Sequence, residues 1–204
     1  MLNLLLKKLL SIGFPAPMPA NSLPRDRHSI RLPEYDYSSP GAYFVTLVTR
    51  GRECVFGEIE DGKMALNPFG EIARKEWFRT SELRVNVRLH EDEFMVMPNH
   101  VHGIVWIVEG DGMVGAQRRY APTEMMVQRT NVVPGSLGAI VRAYKSAVTH
   151  AIHALQGSNE LPVWQRNYYE HIIRNDEEYR RIQMYIESNP AKWLEDEENP
   201  ARWV

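Results

Sequence analysis

Apolar residues along the chain fall into short runs and longer stripes, and the two patterns predict different elements. Residues 42–49, AYFVTLVT, are aromatic and β-branched without a breaker and predict a first strand. Glu58-Ile59 and Met64-Ala65-Leu66 flank Asp61-Gly62, a pair that suits a tight hairpin turn. Phe69, Ile72, Ala73, Trp77 and Phe78 recur at helical spacing and predict a helix over 69–82. Residues 85–97 read as a strand ending in Phe94-Met95-Val96-Met97. Pro98-Asn99 reads as a turn, and HVHGIVWIV, from His100 to Val108, as a further strand. Residues 110–134 have little periodicity and predict a long loop. Behind Ser136, a suitable N-cap, the stripe Leu137, Ile140, Val141, Tyr144, Val148, Ala151, Ile152 and Leu155 predicts a second helix. PVWQRNYYEHIIR, residues 162–174, reads as extended. Asn175 then caps a third helix whose first turn holds Asp176, Glu177 and Glu178, where the helix dipole favours negative charge. That helix runs to about Ser188 and stops at Asn189-Pro190. The order predicts an α+β domain, an antiparallel sheet with helices packed on one face.

Composition narrows the class. The 204 residues are 44% hydrophobic, enough for one domain with a core, so a disordered or fibrous chain is excluded. The lone Cys54 rules out an internal disulfide framework and a cysteine-based zinc finger. No apolar run reaches the roughly 18 residues that span a membrane. In the leucine-rich opening MLNLLLKKLL the charges of Lys7 and Lys8 lie inside the apolar run, unlike a secretory signal. Pro15, Pro17, Pro19 and Pro24 follow, so residues 1–24 read as a tail, 25–190 as one domain and 191–204 as a C-terminal extension. A cytoplasmic place is expected. The net charge of −2 argues at first against nucleic acid, but it is an average: residues 115–174 hold 7 basic and 3 acidic groups, residues 175–204 hold 4 and 8.

The strongest local chemistry is Met97-Pro98-Asn99-His100-Val101-His102. Side chains two apart on a strand share a face, so His100 and His102 can present two imidazoles together, with Val101 buried opposite. This is half of a transition-metal site or a pair of partly exposed strand histidines; the spacing fits both. On the third helix Tyr179 and Gln183 are four apart and share a face. Tyr185 lies on another face.

The segment MPNHVHGIVW resembles the His-hydrophobic-His motif of the HUH endonucleases, in the form found in single-tyrosine transposases and their REP-associated relatives. WQRNYYEHIIRN, residues 164–175, and the early text RHSIRLPEYDYSSPGAYFVTLVTRGR resemble the same group, so the likeness covers roughly residues 27–200 in several blocks. It implies a ferredoxin-like α+β core and a tyrosine nucleophile that cuts single-stranded DNA. Carried over by motif, Tyr179 is the nucleophile, with Tyr185 as the other choice. His100, His102 and Gln183 are then the metal ligands, and mixed N/O ligation suits Mg2+ or Mn2+. The implied activity is cleavage and rejoining of single-stranded or hairpin DNA through a 5′-phosphotyrosine; the alternative is an inactive relative that only binds such DNA. Lys145, Arg118, Arg119 and Arg174 are expected at the DNA, near the nucleoid of a bacterium, and the chain as a monomer or homodimer.

Overall fold

The computed structural model describes Leu32 and residues 34–109, 133–157 and 162–203. The tail 1–24, Arg118, Arg119 and most of the long loop lie outside the described residues.

The sheet is built on β1 (Gly41–Val48), which is buried along nearly its whole length. On one side β1 pairs antiparallel with β6 (His100–Ile107), Thr46 facing His102 and Val48 facing His100. On its other side it pairs antiparallel with β7 (Tyr169–Ile173), Phe44 facing His171. The far edge of β6 carries two short strands end to end, β4 (Val87–Arg88) and β5 (Phe94–Val96). The strand predicted over 85–97 is thus two pieces, separated by a 3-10 turn at Glu91–Glu93. A separate hairpin pairs β2 (Gly57–Glu60) with β3 (Lys63–Leu66); both turn residues, Asp61 and Gly62, have positive φ, as the Asp-Gly pair suggested.

Among the described residues, three α-helices cover the sheet. Helix α1 (Pro68–Glu82) starts at Asn67, whose side chain accepts from the amides of Phe69 and Gly70. Helix α2 (Leu137–Gln156) is capped by Ser136 and ended by Gly157 in the left-handed region. Both pack on one face. There Tyr43, Val45 and Leu47 of β1 and Val101, Val105 and Ile107 of β6 meet Ala73 and Trp77 of α1 and Leu137, Ile140, Val141, Tyr144, Val148 and Ile152 of α2. Helix α3 (Asp176–Ser188) lies on the opposite face, where Ala42, Phe44 and Ile104 meet Ile182 and Ile186. The α+β class with an antiparallel sheet therefore holds, with the helices divided two and one. The division follows from the strand period: β1 and β6 bury residues on both faces, Tyr43, Val45, Leu47, Val101 and Val105 on one and Ala42, Phe44 and Ile104 on the other, so both faces need cover. His100 and His102 belong to the face under α3.

Candidate active site

The site starts from the two-residue period of β6. Val101 points into the larger core, and His100 and His102 point to the α3 face, fully buried. Their Nε2 atoms approach to 2.8 Å. The other ring nitrogens are fixed from behind. Asn99 Oδ1 can only accept, so His100 donates to it from Nδ1 at 2.8 Å and turns a bare Nε2 inward. Thr46 Oγ1, directly across the ladder on β1, lies 2.9 Å from His102 Nδ1. The His102 ring also stacks on Phe44, 5.6 Å between centroids. Burial holds the pKa of His100 down to about 3. It lowers that of His102 too, with further lowering from the His100 charge and an opposing pull from Asp196. Both imidazoles are neutral at ordinary pH, the state in which imidazole binds metal.

The third member comes from the end of the chain. After α3 a 3-10 segment, Pro190–Glu195, folds back, and Asp196 is buried with a carboxylate oxygen close to both imidazoles; the three candidate ligand atoms lie within 4.8 Å of one another. Asn189 Nδ2 donates to Asp196 Oδ2 at 3.0 Å and the Glu198 amide to Oδ1 at 2.7 Å. The side-chain oxygen of Asn189 is buried without a hydrogen-bond partner. Two neutral imidazoles and one carboxylate make a mixed N/O set that fits a hard divalent cation.

Helix α3 brings Tyr185 to this cluster. Its hydroxyl lies 3.4 Å from His102 Nε2, and its ring sits edge-on to His102 at 5.0 Å. Burial and then the Asp196 carboxylate push its pKa up to about 12, while the Asn189 amide pulls the other way. Tyr179 and Gln183, singled out in the sequence, are not brought to the histidines. Tyr179 packs edge-on to Trp106 and donates to Glu93 Oε1 at 2.7 Å; burial first, then Glu93, raise its pKa to about 12. Gln183 Nε2 donates to Asp92 Oδ2 at 2.7 Å. The reason is helical geometry. At about 100° per residue, Tyr179 and Gln183 flank one side of the Ile182–Ile186 stripe and Tyr185 the other, about 120° from Tyr179. Trp106, which Tyr179 touches, is also four residues along β6 from His102, roughly 13 Å at strand rise.

The residues expected at DNA separate in the same way. Lys145 is half-buried on α2, on the sheet's other face. Its ammonium donates to the carbonyls of Gln165 (2.8 Å) and Asn167 (3.0 Å), and burial lowers its pKa to about 8. It fastens the segment before β7 through these two carbonyls. Arg174 is exposed at the start of α3, where its backbone amide donates to Glu178 Oε2. It borders a cavity of about 590 Å³ that also reaches Trp106 and Tyr179.

No family model matches the chain. A Haemophilus influenzae protein described only as uncharacterized is 40% identical over 172 residues, covering 84% of this chain and 92% of that protein. The chain belongs to that protein's family. A second Haemophilus influenzae protein, described as a "Putative REP-associated tyrosine transposase", is 24% identical over 157 residues, 77% of this chain and 74% of that one. The solved structure of a REP-associated tyrosine transposase bound to a REP hairpin superimposes with a TM-score of 0.53 at 21% identity, over 80% of this chain and 73% of that one. In sequence and in fold the chain resembles the REP-associated tyrosine transposases.

Within this transposase-like fold, the residues that sequence reasoning passed over are Asn99, Thr46, Asn189 and Asp196. Asn99 and Asn189 read as turn and helix-stop signals. Asp196 sits in Glu195-Asp196-Glu197-Glu198, which reads as a solvated acidic run. The available signal is that Tyr185 and Asn189 are also four apart, the same spacing that drew attention to Tyr179 and Gln183.

Proposed function

We propose that the chain is a single-stranded DNA endonuclease and strand transferase that cuts and rejoins hairpin DNA through a tyrosine ester, with Tyr185 as nucleophile and His100, His102 and Asp196 as the holders of a divalent ion. The observation that carries the reading is the meeting of the Tyr185 hydroxyl with two inward-facing, neutral imidazoles and a buried carboxylate. The likeness to a transposase solved with a REP hairpin supports hairpin DNA as the substrate class. A bound Mg2+ or Mn2+ would supply Lewis-acid polarisation of the scissile phosphate and offset the Asp196 charge.

The chain's own groups do the rest. Tyr185 Oη loses its proton and forms a bond to phosphorus. The bond from phosphorus to the 3′ oxygen breaks, and that oxygen takes a proton and leaves as a free 3′-OH. The phosphotyrosine keeps the phosphodiester energy, so a 3′-OH can reverse the step without ATP. Burial first and the Asp196 carboxylate second raise the pKa of Tyr185 to about 12, so the phenol keeps its proton at neutral pH, and a cation beside Asp196 would reduce the second of these effects.

The test is covalent capture on 3′-labelled hairpin oligonucleotides with Mn2+, followed by denaturation. The wild type is expected to carry label, Tyr185→Phe to carry none, and Tyr179→Phe to carry it at a rate within several-fold of the wild type. Binding without any adduct in the wild type overturns the enzymatic reading in favour of a DNA-binding relative.

A further inference from the structure

The C-terminal segment that delivers Asp196 is held by its own set of buried polar contacts. Arg52, on the 3-10 turn after β1, and Glu198 are 146 positions apart and pair at 2.8 Å between Nε and Oε2, with both side chains largely out of water. Asn99 joins the two: its Nδ2 donates to the carbonyls of Glu198 (2.7 Å) and Arg52 (3.0 Å). The same Asn99 accepts from His100 through Oδ1. The amide of Glu198 reaches back to Asp196 Oδ1. One network therefore fixes the tautomer of one candidate ligand and the position of another.

We propose that Arg52, Asn99 and Glu198 are positioning residues for the metal site, and that the Arg52–Glu198 pair acts by holding Asp196 against the histidines. This rests on the metal-binding reading above and extends it to residues that touch no metal. An isolated surface ion pair has little effect, but here a desolvated pair is coupled to a ligand through one peptide unit, and removing either partner leaves the other charge buried. Outer contacts of this kind typically change metal affinity 10–100-fold.

The experiment is Mn2+ titration of the metal-stripped full chain, followed by the electron paramagnetic resonance signal of free Mn2+, which needs no DNA and no activity. Glu198→Ala is expected to weaken Mn2+ binding at least about tenfold, and Glu198→Gln, which still accepts from Arg52, by less. In an Asp196→Asn background Glu198→Ala is expected to change affinity less than about twofold, because its effect runs through Asp196. Equal losses in both backgrounds, or none in the wild-type background, overturn the proposal. If Glu198→Ala does not fold, as judged by circular dichroism, Arg52→Lys and Glu198→Gln are compared in the same two backgrounds. Absence of Mn2+ binding in the wild type overturns the metal reading itself; unaltered binding in the variants overturns only this extension.

Discussion

His100 and His102 are neutral because they are buried, and that has a cost in acid. In the unfolded chain both take up protons near pH 6.5, while the folded-state values are depressed, that of His100 to about 3. The contribution to stability is therefore complete above pH 6.5 and is lost as the pH falls toward 3. The slope is up to about 1.4 kcal/mol per pH unit for each proton taken up on unfolding. Urea unfolding of metal-stripped protein at neutral and mildly acidic pH is expected to show a shallower pH slope in His100→Gln than in the wild type; equal slopes contradict the assignment. A second residue-level constraint is Gly103, between His102 and Ile104. A Cβ there would lie 2.3 Å from Trp77 Cζ2 and 3.1 Å from Phe94 Cδ2, two rings stacked at 4.6 Å. Both rings are buried, so Gly103→Ala is expected to cost about 1–3 kcal/mol in thermal or urea unfolding. An unchanged midpoint would contradict the packing described.

At the scale of elements, α3 matters most, because it carries both tyrosines. Its start is fixed by Asn175, whose Oδ1 accepts from the Glu178 amide at 2.9 Å, and by Glu178, which accepts from His171 and the Arg174 amide. Asn175→Ala is expected to cost about 1 kcal/mol of stability and to leave adduct formation in place, since Tyr185 lies near the other end of the helix. A full loss of adduct with native stability would show that the cap positions the site. The helices, the hairpin and the main strands were legible from periodicity, because burial on a known face repeats at 3.6 or 2 residues. The split of residues 85–97 was not legible: Glu93 is buried there to accept from Trp106 Nε1 and Tyr179, a demand set by elements distant in sequence. The choice between tyrosines was also beyond periodicity, since both flank the same apolar stripe and only docking on β6 decides which meets His102.

At the scale of the whole molecule, the sheet separates two tasks. One face holds the large core under α1 and α2, and Lys145 secures the segment leading to β7 from that side. The other face holds the imidazole pair under α3, closed by the C-terminal segment. Among the described residues no helix is long and apolar enough to cross a membrane. The acidic run near the end of the chain shows why the third candidate ligand was hidden. Asp196 and Glu198 are buried while Glu195 and Glu197 are exposed, and nothing local marks which of four carboxyl groups turns inward. The net charge of −2 likewise says little, since these buried acidic groups are matched by Arg52, by amides and, on the proposed reading, by a cation.

The central claim, that Tyr185 is the group that joins DNA, can be tested by peptide mapping of the adduct. Trypsin cuts after Arg180 and Arg181 and so separates Tyr179 from Tyr185, which falls in the peptide from Ile182 to Lys192. After Mn2+-dependent reaction with hairpin DNA and nuclease trimming, mass spectrometry is predicted to find the phosphonucleotide on the Ile182–Lys192 peptide at Tyr185. Finding it on the peptide that ends at Arg180, and so on Tyr179, would contradict the account.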